Sequence, residues 1–190
     1  MEAKNKITAS FKKIKRISIP ELLEMHNIFI QYYHNADLNT FVTDMGAKTG
    51  VIMLHDKKEK RIVGFSTWTE IRLMANGKKS IGIFSGDTVV EKKYWGNKEL
   101  HKQFLKQLLK TKLKQPKTPI FWLLISKGYK TYLLLTNNFP THYPSHDKNN
   151  IKLESIVDEY CQQLYPSAYN KTHRLLDFGD EYQHLKGDVA

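Results

Sequence analysis

Apolar residues recur along this chain with two different periods, which divide it into helical and extended segments. Over residues 22–32 they follow helical spacing, and Ser18 and Glu21 just before them have the form of a capping box. A helix is therefore predicted over 19–35, and a shorter helical segment over 38–47.

Between residues 50 and 91 the pattern is typical of strands. Strands are predicted over 51–55, 61–74 and 80–90. The dipeptide Asn76-Gly77, which separates the last two, is a strong signal for a tight hairpin turn. Together these segments predict an antiparallel meander of three strands.

The clearest helical pattern covers residues 98–115. Two adjacent rows of apolar side chains run along it, and a row of lysines lies on the other side. The apolar rows are Leu100, Phe104 and Leu108, and Leu105, Leu109 and Leu113; the lysine row is Lys98, Lys102, Lys106, Lys110 and Lys114. Both apolar rows are predicted to form the face that packs against the core.

The rest of the chain completes a mixed α/β (α+β) pattern. A continuous apolar run over 120–125 predicts a strand buried on both faces, and the helix before it favours parallel pairing with 80–90. Short helices are predicted over 129–138 and after residue 150, and a last strand over 174–178. The expected architecture is a single domain over residues 1–190, with a mixed, mostly antiparallel sheet and helices on both faces.

Composition adds an uneven basic charge to this picture. The formal net charge is +11, but residues 1–150 carry +14 and residues 151–190 carry −3, and nine lysines lie between positions 92 and 117. Such a surface favours polyanions: nucleic acid, anionic membranes or phosphorylated small molecules. Only four arginines are present, which disfavours base-specific nucleic-acid recognition because arginine makes many of those contacts.

Composition also excludes several classes of protein. The 41% of hydrophobic residues suffices for a core and argues against wholesale disorder. No apolar run approaches the roughly 18 residues of a membrane-spanning helix, and no secretory signal pattern is found, so the expected location is the cytoplasm. The single cysteine, Cys161, excludes an internal disulfide and a cysteine-based zinc site, and no metal is expected. The pattern leaves the oligomeric state open.

The junction between the strand 80–90 and the helix from Lys98 is the best candidate for a binding site. A strand that leads through a short loop into a long helix presents free N–H groups at the helix start, an arrangement that binds anions. Gly96 allows a ligand to approach the backbone closely. The alternative is an ordinary loop with Tyr94 and Trp95 packed beneath it.

The segment from Val89 to Leu100 resembles the signature of GCN5-related N-acetyltransferases (GNATs), V-x-P-x-Y-R-G-x-G-x-G. Gly96 matches a glycine of that signature, while Trp95, Lys98 and Leu100 replace an arginine or glutamine and two small residues. The order of elements over about residues 10–140 also resembles this acyl-CoA N-acyltransferase-like fold. The resemblance implies acyl transfer from acetyl-CoA or another acyl-CoA to an unknown, amine acceptor. It implies coenzyme A contacts at Val89, Val90, Trp95, Gly96, Asn97 and Lys98.

The resemblance also implies where an acid and a base would lie. In these enzymes an acidic residue on the meander often takes the amine proton, and a tyrosine on the helix after the buried strand often protonates the thiolate. Asp87 is the one charged residue within 82–90, and burial would raise its pKa toward that of a useful base. Glu70 is a second candidate base and Tyr132 a candidate acid; solvation of Asp87 in a turn and core packing of Tyr132 are the alternatives.

Two other functions are compatible with the sequence. The first is a non-catalytic binding module of the same fold, whose basic face holds nucleic acid or another polyanion. The second is attachment to anionic lipid through the lysine row of 98–114. That second possibility conflicts with the prediction that all the leucines of this helix are needed in the core.

Overall fold

The computed structural model describes residues 7–125, 129–145, 151–180 and 182–187, which form five helices and ten strands. The strands are β1 (Ile7–Lys13), β2 (Tyr33–His34), β3 (Gly50–Asp56), β4 (Arg61–Ala75), β5 (Lys78–Phe84), β6 (Thr88–Val90), β7 (Ile120–Leu123), β8 (Tyr169–Asn170), β9 (Leu175–Leu176) and β10 (His184–Leu185). The helices are α1 (Ile19–Tyr32), α2 (Leu38–Gly46), α3 (Glu99–Lys114), α4 (Tyr129–Asn138) and α5 (Glu154–Leu164).

The chain divides into two compact units. The first unit contains residues 1–70, 85–117 and 183–190, and the second contains 71–84 and 118–182. Both include part of the long strand β4, whose residues 61–70 belong to the first unit and 71–75 to the second.

The first unit is an antiparallel sheet with helices on both faces. The strands lie in the order β1-β3-β4-β6, and β2 pairs separately with β10. On one face Phe29 of α1 and Phe41 of α2 pack against Phe65 of β4. On the other face Phe104 of α3 packs against Trp68, at 5.2 Å between ring centroids. Alternate residues of a strand point to opposite faces, so β4 serves both layers.

Local signals predict the starts of the first helices and the hairpin well, although α1 ends at Tyr32 and residues 33–34, predicted as helix, form β2. Ser18 Oγ accepts from the Glu21 N–H, and the Glu21 carboxylate accepts from the Ser18 N–H, which confirms the capping box of α1. The segment 38–47 is helical as α2, with Asp37 as its N-cap. Asn76 and Gly77 both have positive φ, as a tight turn between β4 and β5 requires.

The first strand of the sheet is absent from the predicted order of elements. Residues Ile7–Lys13 form β1 and pair antiparallel with β3 along its whole length. Ile7, Ala9 and Phe11 alternate with polar residues, and this period of two is typical of a strand. The surrounding lysines make the alternation hard to recognise. Residues Ile7–Lys13 are therefore part of the sheet.

The predicted strand 80–90 is interrupted. Strand pairing stops at Phe84 and resumes at Thr88, with Ser85, Gly86 and Asp87 between the two segments. The Asp87 carbonyl still accepts from the Thr67 N–H at 3.0 Å, so the chain stays beside β4 through the break. The sequence Ser-Gly-Asp is rich in turn formers, which explains why a strand pauses here.

The second unit contains the end of β4 together with β5 and β7, which α5 covers, and also α4, β8 and β9. Strand β7 pairs parallel with β5, as the intervening helix predicts, although three of its four residues are half-buried rather than buried. Tyr160 of α5 donates from its hydroxyl to the carbonyl of Ile83 on β5 and to that of Phe121 on β7. The predicted last strand, 174–178, is shortened to β9 and pairs only with β8.

The outer apolar row of α3 does not reach the core, contrary to the prediction. Leu100 is buried and Phe104 and Leu108 are half-buried, but Leu105, Leu109 and Leu113 are 57%, 58% and 69% exposed. The helix lies against β1 and β3 with the first row and with Thr111, which is buried. One helix face on one sheet can bury only the side chains on that side, so the adjacent row is left at the surface.

Gly82 of β5 is needed for the approach of α5. A Cβ at this position would lie 2.6 Å from Cγ1 of Ile71 and 2.7 Å from Cζ of Tyr160. We expect Gly82→Ala to lower the free energy of unfolding by about 1–3 kcal/mol, since added volume in a packed core forces neighbours apart. Urea denaturation measures this, with Gly46→Ala as the control because its Cβ would meet nothing within 4 Å. Equal stability of the two variants would contradict the packing described here.

Candidate functional site

The loop between β6 and α3 is held in a fixed conformation at its start. Glu91 forms a bidentate ion pair with Arg61 of β4. Its Oε1 accepts from Arg61 Nη1, and its Oε2 accepts from Arg61 Nη2 at 2.7 Å. The Lys92 N–H donates to the Tyr32 hydroxyl of α1 at 2.9 Å. Both contacts anchor the backbone before residue 93 to the first unit.

The two aromatic residues of the loop have different roles. Tyr94 is buried and donates from its hydroxyl to Oδ2 of Asp56 at 2.7 Å, which holds the pKa of Asp56 below its usual value. Trp95 is 53% exposed, and its indole N–H donates to the Val90 carbonyl at 2.8 Å. The interpretation that both aromatics pack beneath the loop is therefore wrong for Trp95, which lies at the surface.

Gly96 marks the point where the loop turns into α3. Its φ is +81°, and a Cβ there would meet nothing within 4 Å, so open space lies in front of it. Only glycine adopts such a φ without strain. The backbone at this position is thus exposed to an approaching ligand.

The start of α3 presents several free backbone donors. Asn97 Oδ1 accepts from the N–H of Glu99, the first residue of α3, at 2.8 Å. Within the part of the chain that the structure describes, the N–H groups of Gly96, Lys98, Leu100 and His101 have no acceptor. Free N–H groups at the positive end of a helix dipole attract anions.

Strand β6 has one free edge. Asp87 accepts from Thr67 and Glu91 donates to Val63 along the edge that faces β4. The backbone groups of Thr88 and the N–H of Val90 therefore point to the opposite edge, where no described strand pairs with β6. Val89 itself is buried in the core, so its side chain is not at this edge.

The positive charge of the loop is smaller than the sequence indicates. Lys93 lies 2.6 Å from the Glu59 carboxylate and above the ring of Tyr94, so its charge is paired. Lys92 lies 6.0 Å from the ring centroid of Trp95. Lys98 is exposed at the helix start and, among the described residues, has no carboxylate within 4 Å. Lys92 and Lys98 thus carry the charge available to an anion.

Asp87 belongs to a cluster that the sequence does not reveal. Its carboxyl group forms a hydrogen bond with that of Asp44, and Lys48 pairs with Asp44 Oδ1 at 2.8 Å. Burial raises the pKa of Asp87 to about 6; the charge of Lys48 opposes this rise and Asp44 adds to it. Burial and the charge of Asp87 also raise the pKa of the nearby Tyr33 to about 12. A carboxyl group with a pKa near 6 is suited to accept a proton at neutral pH.

Glu70, the second candidate base, lies on the other face of the sheet. Its carboxylate accepts from the Trp68 indole N–H and from the Thr111 hydroxyl of α3, each at 3.2 Å. Asp87 instead faces α2. The structure therefore does not bring the two carboxyl groups together, and the contacts of Glu70 tie β4 to α3.

Tyr132, the candidate acid, lies on α4 in the second unit. Its hydroxyl donates to the Pro144 carbonyl at 3.2 Å, and its side chain is half-buried. This bond holds residue 144 against α4, which gives the tyrosine a structural contact. Its catalytic role stays a prediction.

Two kinds of site are not found in the described residues. In those ranges no three His, Cys, Asp or Glu side chains converge in a way that could hold a metal ion. No described helix combines the length and apolar character needed to cross a membrane.

Comparison with known proteins identifies the fold. No family model and no curated protein sequence matches the chain. Among solved structures, a ribosomal-protein-alanine N-acetyltransferase of Brucella melitensis biovar Abortus matches with a TM-score of 0.52 at 9% identity, over 74% of this chain and 95% of that one. A Bacillus halodurans protein matches with a TM-score of 0.51 at 11% identity, over 73% and 95%. An aminoglycoside N-acetyltransferase in complex with CoA matches with a TM-score of 0.51 at 6% identity, over 71% and 89%.

Proposed function

From the GNAT fold of this chain, we propose that it binds an acyl-coenzyme A and transfers the acyl group to an amine. The observation that carries the proposal is the cradle of free N–H groups at Gly96, Lys98, Leu100 and His101, which suits a pyrophosphate. Val90, Trp95 and Asn97 hold this cradle in shape. The solved relative that contains CoA is consistent with this choice of ligand.

The free edge of β6 suits the extended arm of the same ligand. Pantetheine carries amide groups, which can pair with the unpaired backbone of Thr88 and with the Val90 N–H as an added strand would. The arm would run along β6 between the cradle at α3 and Asp87. The pyrophosphate would thereby lie at one end of this short strand, and the thioester would lie beside Asp87 at the other end.

The proposed reaction begins when the Asp87 carboxylate takes a proton from the protonated amine of the acceptor, which leaves a neutral, nucleophilic nitrogen. This nitrogen then attacks the thioester carbonyl, a C–N bond forms and the C–S bond breaks. The nitrogen gives up its second proton to water, and the thiolate leaves and takes up a proton. Tyr132 is the sequence-predicted donor of that proton. Orientation of the amine against the thioester supplies most of the rate gain, and the base contributes about 10²–10⁴-fold.

A thermal-shift panel tests the ligand. Acetyl-CoA and free CoA are expected to raise the melting temperature saturably, because a ligand bound to the native state stabilises it. Pantetheine, which lacks the pyrophosphate, is expected to raise it far less. The absence of a saturable shift with every CoA species would overturn the proposal. Binding of generic DNA that falls steeply with salt, without CoA binding, would support the non-catalytic alternative.

A further inference from the structure

The outward side of α3 combines exposed leucines with lysines. We define the leucine–lysine face as Leu105, Leu109, Leu113, Lys102, Lys106, Lys110 and Lys114. Residues four apart on a helix are separated by about 40° around the axis, so the three leucines form a ridge about 12 Å long. Each is more than half exposed, and the lysines lie between and beside them.

The charges of this face are largely uncompensated. Lys102 pairs with Glu99 at 2.7 Å, one turn away on the same helix. Lys106, Lys110 and Lys114 have no carboxylate within 4 Å among the described residues. Like charges four residues apart repel each other and weaken the helix slightly. The row therefore lowers the stability of α3 slightly unless an anionic surface lies against it.

We propose that the leucine–lysine face binds the surface of an anionic lipid bilayer. A helix that lies in the membrane interface places apolar side chains at the acyl boundary and lysines at the headgroups, as this face does. The long lysine side chains reach past the leucines to the phosphates. The opposite side of α3 packs on β1 and β3, so the folded unit would rest on the bilayer without spanning it.

Two other binding partners, nucleic acid and a second copy of the chain, would each satisfy only one of the two kinds of side chain on the leucine–lysine face. Nucleic acid would pair with the lysines but would leave the leucine ridge in water. A second copy of the chain, packed by two-fold symmetry, would bury the leucines but would place lysines against lysines. A bilayer containing anionic lipid satisfies both kinds of side chain at once. It also needs no groove, and a single helix ridge offers none.

Vesicle co-sedimentation of the full chain tests the proposal. Binding is expected to phosphatidylcholine vesicles that contain phosphatidylserine, and to be much weaker with phosphatidylcholine alone. The triple variant L105Q/L109Q/L113Q should bind about tenfold or more weakly, since the apolar contact is lost. The triple variant K106Q/K110Q/K114Q should bind roughly fivefold more weakly for each lysine replaced. Glutamine keeps helix propensity high, and circular dichroism checks that each variant folds.

A matched control removes equal charge elsewhere. K57Q/K58Q/K60Q replaces three exposed lysines of the β3–β4 turn and is expected to bind as the unchanged chain does. Four results would overturn the proposal: no binding to anionic vesicles, equal binding by the leucine variant, equal loss in the control, or a dimer in light scattering that the leucine variant abolishes. Binding of RNA or DNA that needs the lysines, without vesicle binding, would do the same. The acyl-CoA panel is independent of these outcomes.

Discussion

Gly96→Glu is expected to abolish saturable acyl-CoA binding, with affinity reduced at least ~100-fold, or about 2.7 kcal/mol. The residue has a φ of +81°, where a side chain is strained, and a carboxylate would stand in front of the N–H groups proposed for the pyrophosphate. The added negative charge repels the phosphates directly. Isothermal titration calorimetry with acetyl-CoA measures the effect.

Gly77→Glu provides a matched control for this substitution. Gly77 also has a positive φ, +73°, and open space for a Cβ, but it lies in the hairpin turn between β4 and β5. Backbone strain should therefore lower the free energy of unfolding of both variants by a similar amount, about 1–2 kcal/mol. Only the variant at position 96 should lose ligand binding. If both variants bind acetyl-CoA equally well, the cradle does not hold the cofactor.

Asp87→Asn is expected to lower kcat/KM by about 10²–10⁴-fold with acyl-CoA binding retained. The carboxylate is the active form of the base. For the unchanged chain, kcat/KM should therefore rise as the pH passes the Asp87 pKa of about 6 and level off above it, and this rise is the acidic limb of the profile. The variant should lack that limb. A pH profile of kcat/KM with an amine acceptor, taken from pH 5 to pH 8 (about the range in which this group titrates), measures both effects.

The stability of the fold should also depend on the ionisation of Asp87, but it should decrease with pH over the range in which activity increases. The pKa of Asp87 is raised in the folded chain from 3.8 to about 6, so the native state binds the proton more tightly than the unfolded state does. The free energy of unfolding should therefore fall as pH rises through this window. Asp87→Asn should remove that fall, which urea denaturation at several pH values detects.

Asp44→Asn tests whether the neighbours of Asp87 raise the pKa of its carboxyl group. The variant keeps the Asp87 carboxyl but removes the neighbouring charge that raises its pKa, and it frees Lys48 to pair with Asp87. The pKa of Asp87 should fall, and the limb of the pH profile should move to lower pH while activity persists. A limb that stays in place would show that another group titrates.

Features fixed by near neighbours in the chain are predicted well. The capping box of Ser18 and Glu21, the turn at Asn76-Gly77 and the bounds of α3 and α4 depend on residues a few positions apart. The position of Gly96 in the loop just before α3 is likewise predicted, because strand, glycine and helix follow one another in sequence. Asp87 stands out as the single charge in an apolar stretch.

Features that depend on distant segments required the tertiary structure. Asp44 and Lys48 lie near Asp87 although 38 or more residues separate them in the chain, and no local pattern links them. The first strand β1 is recognisable only once β3 offers it an edge. The opposite placement of Glu70 and Asp87 follows from the alternation of β4 and from the break at Ser85–Asp87, which the predicted continuous strand omits.

The sequence by itself determined the order of the main elements, the mixed sheet and the basic character of residues 1–150, since these follow from local periodicity and composition. The tertiary structure decided how α3 is turned about its own axis. Periodicity places Leu100 and Leu105 in adjacent rows, but only contact with β1 and β3 selects which row is buried. The same contact leaves three leucines among the lysines at the surface. The sequence could explain the lysine row of α3 only by solubility. In the tertiary structure these lysines belong to a defined surface, the leucine–lysine face.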